Sequence, residues 1–250
     1  METSLHRKFL RFGLIVTGTG ERKFLPSLFR SLMTTQECCF EIIARVDQRS
    51  PITSARKLAR NTVIGTNKRI PTRDEEQIGL PARRYLGAED RFVVLVDDLE
   101  FDRRGMVAEV FARYRLALDT VLGNSLAPRA SVHFLVTMLE AYYFADPDAV
   151  KSAIEVVLED DPGDVEQIRN PKARLKQLFP AFDEVRHGEQ IVKRLDVAQV
   201  LSRPDTCASL RTLYAWCWRA LGRLPDVEYQ FNDGRYHEVT QPQIETLPVP

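Results

Sequence analysis

The chain has 250 residues, 44% of them apolar and 28% charged, with a formal net charge of zero. That is the balance of an ordinary globular protein with a core of its own, and it leaves any polyanion-binding surface to a local patch. No apolar run is long enough to span a bilayer, and METSLHRKFLRFG at the N-terminus lacks an apolar stretch of signal-peptide length, so no membrane role and a cytoplasmic location are expected.

The first predicted element is a buried strand over Phe12–Val16. A glycine-rich loop follows, and then an amphipathic helix over Arg22–Leu32 with Leu25, Leu28, Phe29 and Leu32 as its stripe. The loop fits neither nucleotide motif. Gly13 and Gly18 have Walker spacing, but Thr19 and Gly20 stand where Lys and Ser/Thr are required. Gly18 and Gly20 begin a dinucleotide fingerprint, but Lys23 replaces its third glycine. A generic anion site at the helix start stays open. Glu21 falls in the first helical turn, where the macrodipole alone favours a carboxylate.

A second strand is predicted over Phe40–Val46. The connection that follows is basic, with ten Lys/Arg against four Asp/Glu between Arg45 and Arg84. It reads either as a solvated surface or as a path for a phosphate backbone; Arg56, Lys57, Arg60, Lys68 and Arg69 are the candidate contacts. FVVLV at Phe92–Val96 is an unbroken apolar run, the mark of a strand covered on both faces. It ends in Asp97, Asp98, Glu100 and Asp102. In open parallel sheets, sites form outside such strand ends, and Glu21 is expected at the same edge. Carboxylates brought together without a basic partner repel one another unless a cation binds, and oxygen ligands suit Mg²⁺ or Mn²⁺. A solvated acidic turn is the plainer account of either motif taken singly.

A helix is predicted over Gly105–Leu122, a β-like run over Val132–Val136, and a helical TMLEAYYFA segment after it. Glu140 sits in that apolar segment, where an unpaired carboxylate is costly: it either pairs with an arginine or completes the acidic site. His133 is more simply a core histidine than a general base. Asp146 and Pro147 start a helix running through Leu158. Six acids and no base lie between Glu155 and Glu166, a solvated face. Beyond residue 160 the pattern is mostly helical, with Lys172–Leu178 and Pro204–Leu221 strongest and an Asn232-Asp233-Gly234 hairpin-like turn near the end. Lys172, after Asn170-Pro171, is either a solvated helix start or a phosphate contact. His187 in RHGEQ is a loop residue with at most a minor catalytic role, and Trp216 and Trp218 are core or interface aromatics. Cys38, Cys39, Cys207 and Cys217 form no CxxC pair and have no histidine at zinc spacing, as in a reducing compartment.

Strands alternating with helices give an α/β fold with a mostly parallel sheet flanked by helices and a mainly helical C-terminal part. The expected divisions are a core over 1–160, a helical part of the same domain over 161–224, and a hairpin and tail over 225–250.

The segments LIVTGTGERKFLPSLFRSL, FVVLVDDLE, VHFLVTMLEAYYFADPDAV and NPKARLKQLFPAFDEVRHGEQIVKRLDVAQVLSRPDTCASLRTLYAWCW together resemble the bacterial domain-of-unknown-function family 4276, a Toprim-like group. The strand–glycine–Glu–helix unit and the acid-ended strand are similar to the catalytic core of topoisomerases, primases and nucleases of overcoming-lysogenization-defect type. The resemblance implies a Toprim-like fold and Mg²⁺-dependent cleavage of phosphodiesters in DNA or RNA. Glu21 matches the family glutamate, with Asp97 and Asp98 beside it as catalytic acids; Asp97, Asp98, Glu100 and Glu140 are the implied metal ligands. The sequence departs from the Toprim DxD pair, because Leu99 stands two residues after Asp97, so the pair reads as Asp98 with Glu100 or as Asp97 with Asp98. The resemblance further implies an antiviral defence setting with an AAA/ABC-type ATPase partner, and it allows a homo-oligomer. Two other readings follow: a catalytically silent binding or sensor subunit of an ATPase complex, and a different phosphoryl-transfer enzyme using the same acids on a nucleotide or small phosphoester.

Overall fold

The computed structural model describes residues 8–50, 69–159, 163–203 and 206–222. Four strands build one sheet: β1 (Leu10–Val16), β2 (Cys38–Arg45), β3 (Arg91–Leu99) and β4 (Ala130–Val136). Their order is β2-β1-β3-β4, and every pair is parallel. The expected α/β architecture is therefore present, with an all-parallel sheet. β1 is extended by β2 on one side and by β3 on the other, so the strand order reverses between β1 and β3. In open sheets of this kind that reversal opens a crevice at the carboxyl ends of the two strands.

Side-chain alternation sorts the two faces. Phe12, Leu14, Val16, Val94, Val96 and Leu135 point to one face; Ile15, Val93, Leu95, Leu99, Phe134 and Val136 point to the other. The first face is covered by α1 (Thr19–Leu28), α5 (Pro147–Ile154), α6 (Pro171–Leu178), α7 (Arg186–Val192), α8 (Val197–Ser202) and α9 (Ala208–Ala220). The second is covered by α3 (Leu80–Tyr85) and α4 (Val107–Leu126). β1, β3 and β4 are largely apolar because both faces are covered, whereas the edge strand β2 is only partly buried.

Several elements differ from the periodicity. The first helix starts earlier, at Thr19, and breaks at Phe29 (φ −89°, ψ 16°) before a short α2 (Arg30–Met33). Pro26 lies inside it and lacks the N–H of a helical hydrogen bond. LEAYYFA forms a 3-10 helix over Leu139–Ala145. The helix capped by Asp146, which accepts from the Ala149 N–H at 3.0 Å, stops at Ile154, where Glu155 turns left-handed (φ 59°). The last helix begins at Ala208. A π-helix at Glu75–Gly79, and α3, α7 and α8, carry patterns too short to stand out. The hairpin expected near Asn232 lies outside the described residues. Among the described residues, no helix is long and apolar enough to cross a membrane.

Candidate functional site

The crevice between β1 and β3 is held together by Thr17, the residue after β1. Its hydroxyl donates to Asp97 Oδ1 at 2.9 Å and accepts from the Asp98 N–H at 3.2 Å. The two adjacent aspartates then part, because successive strand residues face opposite ways.

Asp97 turns under α4 and is fully buried. Besides Thr17, it accepts from Arg103 (2.8 Å at Oδ2) and from the Tyr114 hydroxyl (3.0 Å). Arg103 also donates to the Asp98 and Arg49 carbonyls, at 3.2 and 2.7 Å. Both oxygens of Asp97 are thus engaged in a buried ion pair that ties β3 to the segment after β2. This departs from the expected grouping of Asp97 with Asp98: the pleat sends Asp97 to the other face.

Asp98 points to the face that carries α1. It lines a cavity of about 320 Å³ together with Glu21, Glu100, Glu140, Glu184 and Lys172. Asp98 and Glu100 are two residues apart and share this cavity, whereas Leu99 between them packs in the opposite core. Five carboxylates therefore face one lysine. Glu21 and Asp98 are only 7% and 9% exposed, and Glu21 Oε2 and Asp98 Oδ1 are buried without a hydrogen-bond partner. An unsatisfied buried carboxylate oxygen is costly, so the fold carries this pair against its own stability.

The electrostatics agree. Burial raises the Asp98 pKa well above the usual carboxylate range, and the charges of Glu21, Glu140, Asp97 and Glu100 add to it. Glu21 is raised by burial and by the charges of Asp97 and Glu184, against its own backbone N–H and Lys172. Glu140, partly exposed, is raised by burial, with its own backbone N–H and Lys172 opposing. Lys172 Nζ pairs with Glu184 at 2.5 Å.

The glycine loop has a steric reason. A Cβ on Gly18 would lie 1.7 Å from Glu21 Oε2, so the carboxylate occupies the space a side chain would take. The loop is a seat for Glu21.

Carboxylate oxygens with no partner fit a hard divalent cation, which needs only one or two protein carboxylates plus water and substrate oxygens. Among the described residues no three His, Cys, Asp or Glu side chains form a ready-made metal-ligand group. Glu21 and Asp98 are the pair whose orphaned oxygens fit one best.

Of the other candidates, Arg56, Lys57, Arg60 and Lys68 lie outside the described residues, and Arg69 is exposed. His133 is buried on β4, bonded at 2.7 Å to Ser131 Oγ and edge-on to Trp216, and burial lowers its pKa to about 3. His187 accepts from the Asp183 N–H at 2.8 Å and fixes the start of α7. Thr17, Arg103, Tyr114 and Glu184 were not singled out by the sequence. Thr17, next to the glycine loop, and Arg103, six residues after Asp97, adjoin the motifs; Tyr114 and Glu184 arrive from later segments.

Fold and site define a class: a parallel α/β protein with an acidic cavity at the carboxyl ends of its central strands. The family described as Domain of unknown function (DUF4276) matches residues 16–215, and the chain belongs to it. No curated protein and no solved structure matches the chain.

Proposed function

We propose that the protein is a metal-dependent hydrolase of nucleic-acid phosphodiesters, related to the Toprim nucleases. The observation that carries this reading is the convergence of Glu21 and Asp98, each with an orphaned buried oxygen, at the crevice where the strand order reverses. Glu21 and Asp98 would hold Mg²⁺ or Mn²⁺, with Glu140 and Glu100 on the same cavity wall as further oxygen donors. When bound, the cation supplies charge neutralisation at the scissile phosphate and a more acidic water. Glu21, whose pKa burial raises, is the acid/base candidate. Lys172 offers the cavity's positive charge to a phosphate oxygen, and Thr17 and Asp97 position Asp98. The family resemblance supports an ATPase partner and a defence role as parts of the same reading.

A second reading, a silent subunit docking on an ATPase, draws on Leu99, which is core where the Toprim pattern has an acid. Calorimetry with Mg²⁺ and Mn²⁺ on the full chain and on Asp98→Ala separates the two. Binding abolished by the substitution, with Mg²⁺-dependent cleavage of DNA or RNA lost alongside, is the expected result. No binding in either protein would favour the silent subunit.

A further inference from the structure

A second compartment, of about 540 Å³, shares Glu100, Met138 and Lys172 with the acidic cavity. Its other walls include Phe101, Arg169 and Asn170. The half-buried Phe101 ring carries the Arg169 guanidinium at 5.6 Å and that of Arg104 at 5.7 Å. Arg104 is committed to the fold: it donates to Gln167 Oε1 at 2.8 Å and to the Glu166 carbonyl at 3.3 Å. Arg169 is exposed and makes no ion pair among the described residues, although Glu100 and Asp102 line the same space.

Aromatic rings and arginine planes are the two platforms on which unpaired bases stack, and an uncommitted guanidinium is a phosphate donor. Together the two spaces have the scale of a nucleotide subsite. Glu21 and Asp98, which line the first of them, are nearly buried, so a strand free to bend into that cavity brings a scissile phosphate to them most readily.

Resting on the hydrolase reading, we infer that this compartment holds the nucleotide flanking the scissile phosphate, with its base unpaired against Phe101 and Arg169. The substrate is then single-stranded nucleic acid, or a frayed end, rather than intact duplex. Glu100 and Asp102 offset Arg169 and Lys172, so the compartment attracts one nucleotide by stacking and a single phosphate contact, not a long polyanion.

The test is fluorescence polarisation of the full chain with single-stranded and blunt duplex oligonucleotides of one sequence, in Ca²⁺, alongside Mg²⁺ cleavage of both. Expected are at least tenfold tighter binding of the single strand, and about a tenfold loss for it in Arg169→Ala and in Phe101→Ala. Arg169→Ala should also reduce the salt slope by about 0.7, the share of one phosphate on a single strand. Phe101→Leu, which keeps an apolar side chain at this half-buried position but removes the ring, guards against a folding defect; it should lose affinity at unchanged melting temperature. Equal or tighter duplex binding, or single-strand affinity unmoved by Arg169→Ala, overturns this inference while Asp98-dependent cleavage leaves the hydrolase reading standing. Absence of any nucleic-acid binding and cleavage overturns both.

Discussion

At the scale of residues, two neighbouring aspartates do opposite work. Asp97 is a structural ion, and removing it leaves Arg103, only 14% exposed, without its carboxylate. Breaking a buried pair from one side costs about 3–5 kcal/mol, so Asp97→Ala should lower the denaturation midpoint sharply. Asp98→Asn should leave it unchanged or higher, because it removes a repelled carboxylate; urea unfolding of both variants checks the contrast. Glu166 is a further buried acid, on the same side of the molecule. It accepts from the Tyr142 hydroxyl at 3.0 Å and the Ser209 N–H at 2.9 Å, and burial with the Asp164 charge raises its pKa from 4.5 to about 7. A raised acid favours the folded state while protonated. Its contribution, on the order of 3 kcal/mol, is full below pH 4.5 and lost as the pH rises through about 7. Melting curves from pH 4.5 to 8 should therefore fall for the wild type by several degrees more than for Glu166→Gln. Glu21, Asp98 and Glu140 act in the same direction, and a bound divalent cation would oppose them.

At the scale of elements, the start of α1 decides the site. Gly18 is the N-cap, yet it makes no side-chain cap; its value is the empty space into which Glu21 folds. Gly18→Ala would push that carboxylate out of its seat rather than unfold the helix, since the clash is with the end of a flexible side chain. On the proposed function, cation affinity should drop about tenfold or more while the melting temperature moves little; calorimetry beside thermal denaturation reads both. The helix beyond is amphipathic, as its Phe24, Leu25 and Leu28 stripe requires, but Pro26 and the turn at Phe29 shorten it. The Leu28 carbonyl there accepts from the Tyr214 hydroxyl of α9, so the break is used by a distant helix.

At the scale of the whole molecule, the helices after residue 163 share a core with the sheet. Trp216 is fully buried and sits edge-on to Phe12 (6.2 Å), Phe92 (6.0 Å) and His133 (6.0 Å), which come from three different strands. Trp216→Ala should cost about 3–5 kcal/mol, and calorimetric unfolding should remain a single transition at a lower temperature. Two transitions would mean that the C-terminal helices unfold as a separate unit.

The sequence by itself determined the four strands, the long helices and the α/β class, because covered parallel strands are apolar throughout and amphipathic helices repeat at their own period. It also marked Glu21, Asp98, Glu100 and Glu140 as acids in places that needed explaining. Only the tertiary structure decided that β1 and β3 are neighbours at the reversal of strand order, which brings Glu21 to Asp98. It alone showed what Asp97 pairs with, since its contacts with Arg103 and Tyr114 are invisible in a local reading of DDLEFD. It alone brought Glu184 and Lys172 from the helical part onto the acidic cavity. Local patterns record burial and period; strand order and the meeting of distant side chains are fixed only when the layers pack.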